Sequence, residues 1–210
     1  MNQQPLITTD PGQGALLQKK FALEARLRSG INWFFWIGGL SIINSIIYFL
    51  DGSLTFVVGL GATQFVDGFA GAVAKDLSSS GATLIRIIGF SLDLGIAGIF
   101  IAAGLLGRKR YRWAVITGMV LYTFDAIIFL LVGGWLAVAF HGLALWGLWG
   151  GLKAIGDLNA VEQTIPVSIT PNTEKPVWYK SDSARILVSV ALFFLAIVVI
   201  LVTIGFIING

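Results

Sequence analysis

The chain has 210 residues, 56% of them hydrophobic and 12% charged, with a formal net charge of +3 and a mean hydropathy of +0.86. A soluble domain carries about twice that charged fraction, so the composition excludes a soluble globular class and points to a bilayer. The absence of cysteine excludes disulfides, palmitoyl thioesters, thiolate nucleophiles and Cys-ligated metals, and the basic residues flank apolar runs, where topology and anionic lipid account for them without nucleic acid.

Met1 to Gly14, with Pro5, Pro11, Gly12 and Gly14, reads as a flexible tail. No apolar signal-peptide core occurs before Gly30, so the first span is expected to act as its own insertion signal and Met1 to be kept. From Ala15 to Arg28, Leu16, Leu17, Phe21 and Leu27 recur at helical spacing opposite Lys19, Lys20, Glu24, Arg26 and Arg28. That pattern predicts a short basic amphipathic helix lying at the inner interface, with Lys19, Lys20, Arg26 and Arg28 as contacts for anionic lipid.

Five runs are long enough to cross a membrane at ~1.5 Å per residue: Ile31 to Leu50, Thr83 to Leu106, Trp113 to Gly134, Trp135 to Leu152 and Arg185 to Ile208. Aromatic residues such as Trp33, Trp36, Tyr111, Trp113, Trp135, Trp149 and Trp178 cluster near their ends, as interfacial side chains do. The chain thus divides into a cytoplasmic tail with its basic helix (1–30), a membrane bundle (31–152), a cytoplasmic loop (153–184) and a final span (185–210), which is almost wholly Leu, Ile, Val and Phe and is expected to face lipid.

Leu54 to Ala74 is long enough to span but carries Gln64, Asp67 and four glycines. Nine Leu, Val or Phe residues at roughly −0.3 to −0.6 kcal/mol each are nearly cancelled by one Asp at about +3 kcal/mol together with the glutamine and glycines. Charge decides its placement. Twelve of the fourteen Lys and Arg fall in three groups: Lys19, Lys20, Arg26 and Arg28; Arg108, Lys109, Arg110 and Arg112; Lys153, Lys175, Lys180 and Arg185. All twelve lie on the inner side only if residues 54–74 do not cross. The expected fold is therefore all-α: a polytopic bundle of five spans with a re-entrant or outer-surface helical segment at 54–74, in a prokaryotic cytoplasmic membrane with the N-terminus inside.

Asp93, Asp125 and His141 lie deep within spans, ~15, ~13 and ~10 Å below the outer ends, and Asn44 lies ~10 Å below its own. Ionisable groups at that depth face the bundle interior and have partners, which defines one candidate polar layer of Asn44, Asp93, Asp125 and His141. Either Asp93 and Asp125 share a proton or one of them pairs with His141, and the structural alternative is hydrogen bonding between helices through protonated carboxyls. Arg86, one heptad before Asp93, either snorkels to the outer headgroups or pairs with Asp67 and pins the outer segment. Gly95, Gly98 and Ala102, Gly147, Gly150 and Gly151, and Gly68, Gly71, Ala72 and Ala74 read as close-packing positions.

Catalytic constellations are missing. The contexts Ser91-Leu92-Asp93-Leu94-Gly95 and Tyr122-Thr123-Phe124-Asp125-Ala126 lack the motifs of intramembrane aspartyl proteases. One histidine does not make a zinc ligand set, and no Gly-x-Ser-x-Gly site or phosphate-binding loop occurs. The sequence points to a membrane protein that is not an enzyme and needs no cofactor or metal. It acts either as an assembly, regulatory or interaction component, with a protein partner or a second copy, or as a small permease or proton-coupled carrier using the Asp/His layer.

Overall fold

The computed structural model describes residues 11–50 and 59–164. These form five helices and no strand: α1 (Pro11–Phe49), α2 (Gly61–Ala74), α3 (Ser79–Arg108), α4 (Arg112–Leu131) and α5 (Trp135–Thr164). Four of them, α1, α3, α4 and α5, are long and apolar enough to cross a bilayer. α2, at 14 residues, extends only ~21 Å. The final run, Arg185 to Ile208, lies outside the described residues.

Small residues set how the helices meet. A Cβ on Gly30 of α1 would fall 2.6 Å from the backbone of Gly147 and Gly151, so α1 and α5 touch backbone to backbone. Gly38, Phe34 and Ile31 of α1 meet Ile101, Gly104 and Gly107 of α3, rising numbers against falling ones, so these two helices are antiparallel. Phe34 also packs against Gly118 of α4, at the centre of a core that includes Ile37, Phe100, Tyr122, Leu148 and Ile155. Trp36, Leu131, Trp135 and Trp146 point outward, as lipid-facing side chains do.

The four long helices alternate in direction, which brings the basic groups to one end. There Lys20 reaches Glu162 at 3.4 Å, and Arg110 reaches Glu162 at 2.8 Å and Glu24 at 3.3 Å. Arg108 donates to Asn32 at 2.8 Å and lies over the Phe35 ring. The predicted basic helix is not a separate element: it forms the first turns of α1 and continues into the span without a break. Leu27 is buried, and the charged partners on α5 and on the α3–α4 turn hold the extension upright against α5. Likewise 153–164 continues α5 rather than opening a loop, with Ile155, Leu158 and Val161 buried.

Both inter-helix turns around α4 use the same device. Gly134 N–H donates to Phe129 O and Gly133 N–H to Leu130 O, with Gly133 left-handed at φ 73°. Tyr111 N–H donates to Leu106 O and Arg110 N–H to Gly107 O, but here the left-handed position, φ 66°, is held by an arginine. A Cβ there costs roughly 1–2 kcal/mol, tolerated because the guanidinium ties two carboxylates. Arg110→Ala, which keeps the strain and loses the ion pairs, is expected to melt lower than Arg110→Gly by about 1 kcal/mol in detergent unfolding. Equal melting would mean the left-handed turn carries no strain.

α2 begins inside the bundle. Asp67 lies against Asp93, and Ala70 one turn on lies against Gly89, so α2 is antiparallel to α3 and runs in the direction of α1. Its first residues are deep: Leu60 N–H donates to Ser41 Oγ at 2.8 Å, two turns below the end of α1. α2 therefore starts inside the bundle and climbs back toward the end opposite the basic one, where α3 begins.

Candidate functional site

Two polar centres flank α2, and the expected single layer divides between them. The first closes its buried N-terminus. Leading N–H groups of a helix have no partner within it, and α2 has no capping side chain of its own. A carboxylate from another helix takes that role: Asp125 of α4 accepts from Gly61 N–H through Oδ2 and from Ala62 N–H through Oδ1, both at 2.8 Å. Negative charge at this position is favoured by the helix dipole as well as by the hydrogen bonds.

His141 of α5 completes this centre. Its Nδ1 lies 2.8 Å from the Ala137 carbonyl, which only accepts, so Nδ1 carries a proton. Its Nε2 lies 2.9 Å from Asp125 Oδ2, and a second proton occupies that contact. Asp125, His141 and the proton between them are together neutral, which removes the cost of an isolated charge at this depth. Helical spacing puts Tyr122, Asp125 and Phe129 on one face of α4. Tyr122 stacks on the imidazole with centroids 4.1 Å apart, and Phe129 lies 5.3 Å from it. Every polar atom of the Asp125–His141 pair has a partner. It is a latch.

The second centre is not closed. Asp93 of α3 and Asp67 of α2 are side-chain neighbours, and Ser45 of α1 stands beside both. Asp93 is 1% exposed, Asp67 7% and Ser45 0%. The Asp93 and Asp67 carboxyls and the Ser45 hydroxyl face one another, so a hydrogen bond between the carboxyls needs a proton on one of them; Tyr122 Oη, beside the latch, is buried without a partner among the described residues. Two buried carboxyls in contact repel if both ionise, so the pair holds at least one proton between them.

Of the residues singled out from sequence, Asp125 and His141 are brought together, and Asp93 is set against Asp67 instead of Asp125. Asn44 is buried on α1 next to Ser45 in the chain. Arg86 is half-buried and lines a cleft of about 570 Å³ between α2 and the start of α3. Sequence reasoning missed Ser41, Ser45 and Tyr122. The first two stand four apart on the α1 face that also carries Ile37, and this hydroxyl spacing inside an apolar run was the available signal. No group of three or more His, Asp or Glu able to hold a metal occurs among the described residues.

Four long apolar helices around a polar interior are those of a multi-pass α-helical membrane protein, with a short fifth helix that begins inside the bundle. Comparison with protein-family models, curated proteins and solved structures finds no match for this chain.

Proposed function

We propose that the protein is a small proton-coupled carrier, not an enzyme, whose working site is the Asp67–Asp93 pair with Ser45 beside it. One observation carries this reading: two carboxyls, Asp67 and Asp93, are buried against each other with Ser45 beside them, so a proton is held between like groups, whereas Asp125 is tied to His141 and to the start of α2. A carboxylate tied to a histidine and to two backbone N–H groups holds a fold together, and a pair of carboxyls buried in a membrane bundle is costly and is retained for use. The reading as an assembly or regulatory component rests on absent chemistry alone and has no comparable support.

Acting between a returning helix and a span, the pair takes up a proton in one arrangement of α2 and releases it in another. The titratable groups nearest it along the elements packed around it are Tyr48 on α1, Arg86 two turns up α3, and the Asp125–His141 latch with Tyr122 at the foot of α2; the other charged groups of α1 and α3 lie at the basic end. Infrared difference spectra of the reconstituted protein across neutral pH test this. A protonated-carboxyl band that titrates, and that both Asp67→Asn and Asp93→Asn remove, is expected; a pH-invariant band sinks the reading. Asp93→Asn is expected to leave the unfolding midpoint unchanged or raised, because an amide donates to Asp67 without a shared proton and removes one of two like ionisable groups from the interior.

The carrier sits in a cytoplasmic membrane with the basic end inside, five spans in all, and α2 re-entrant from the outside. The meeting of Lys20, Arg108 and Arg110 at one end supports that orientation. Lys19, Arg26 and Arg28 remain exposed on α1 for anionic lipid. In intact cells a single cysteine from Ser79→Cys labels from outside and one from Lys109→Cys is shielded; the reverse pattern overturns the orientation.

A further inference from the structure

Three basic groups take twelve of the fourteen Lys and Arg residues, and the two left over are Lys75 and Arg86. Both belong to the end of the bundle opposite the basic one, where membrane topology disfavours cations. Although separated by a turn and a change of helix, both line one cleft of about 570 Å³. Tyr48 of α1, Gly68 and Gly71 of α2 and Ser79 of α3 form more of its wall, and among the described residues no carboxylate does. The cleft is open to the outside, with room for an anionic group and a short organic chain. Gly68 leaves the α2 wall open, whereas the space over Gly71 is taken by the Tyr48 hydroxyl.

The cleft also adjoins the proposed proton site. Gly68 follows Asp67 in the chain, and Arg86 lies two helical turns from Asp93 on the same helix. Moving a single negative charge through a bilayer is costly, and one accompanying proton cancels it. We infer that the cleft between α2 and α3 is the binding site of a small monovalent organic oxyanion, a carboxylate, held by Lys75 and Arg86 and carried with the proton of the carboxyl pair. The inference deepens the carrier reading and rests on it. Arg86 contributes its charge to the wall alongside the other contact it makes.

Thermal unfolding of the full chain in neutral phosphatidylcholine nanodiscs tests this, with acetate, butyrate, succinate and phosphate compared against chloride at matched ionic strength. Acetate or butyrate is expected to raise the wild-type midpoint saturably. In Lys75→Gln, an exposed position whose change leaves the fold intact, the apparent affinity is expected to fall about tenfold. Lys153→Gln, at the basic end, serves as the unchanged control. No anion-specific rise, or an equal rise in Lys75→Gln, overturns the inference. A rise produced only by anionic phospholipid and lost in Lys75→Gln assigns the cleft to a headgroup and overturns the solute. A carboxylate response that persists when the infrared band fails to titrate removes the proton and leaves the anion site standing.

Discussion

Asp125→Ala is expected to destabilise the bundle by about 3–5 kcal/mol, the cost of breaking a buried charged pair by removing one partner. The carboxylate accepts two backbone N–H bonds from α2 and shares a proton with His141, so its loss leaves Gly61 and Ala62 N–H groups and the imidazole Nε2 unpartnered in the interior. α2 has no other cap to fall back on. Unfolding in mixed micelles gives the magnitude, and hydrogen exchange at the Gly61 and Ala62 amides gives the location. Asp125→Asn is expected to lose less, because its amide keeps one acceptor for α2 and offers a donor to Nε2. A cost in Asp125→Ala of about 1 kcal/mol, the worth of one ordinary hydrogen bond, would mean that α2 is held by packing instead.

Gly30→Ala is expected to cost about 3 kcal/mol, the upper part of the range for overpacking. The added Cβ would lie 2.6 Å from Gly147 O and from Gly151 Cα and N, all backbone atoms of α5 that have no rotamer to change. The helices must move apart, and the separation spreads to Trp33, which packs directly on Gly147. Gly98→Ala is the internal control. Nothing lies within 4 Å of its added Cβ, so alanine's better helix propensity should leave stability equal or slightly higher. Equal costs at the two glycines would show that Gly30 acts through propensity and not through the α1–α5 contact.

Gly98 also shows where a small-residue pattern misleads. Gly147 and Gly151, read from sequence as contact positions, do touch α1, but Gly98 faces open space, and Gly30 was not singled out at all. Glycine spacing says that a helix permits close approach; which glycine is used depends on the rotation of the helix against its neighbour.

What the sequence determined by itself is what depends on one coordinate, distance along the chain. Crossing a bilayer needs ~20 apolar residues, so the runs that became the apolar parts of α1, α3, α4 and α5 were legible from length and hydropathy. The marginal insertion energy of 54–74 set that segment apart from the spans, and α2 within it is too short to cross and starts inside the bundle. Depth along each span correctly placed Asp93, Asp125 and His141 in the interior. Depth does not say which way a side chain points. Only the tertiary structure decided that Asp125 turns to His141 and to the open end of α2, and that Asp93 turns to Asp67 and Ser45. Those partners follow from the rotation of α3 and α4 about their own axes and from the depth at which α2 enters. Both are fixed by close contacts between residues far apart in the chain, such as Gly89 of α3 on Ala70 of α2 and Gly118 of α4 on Phe34 of α1.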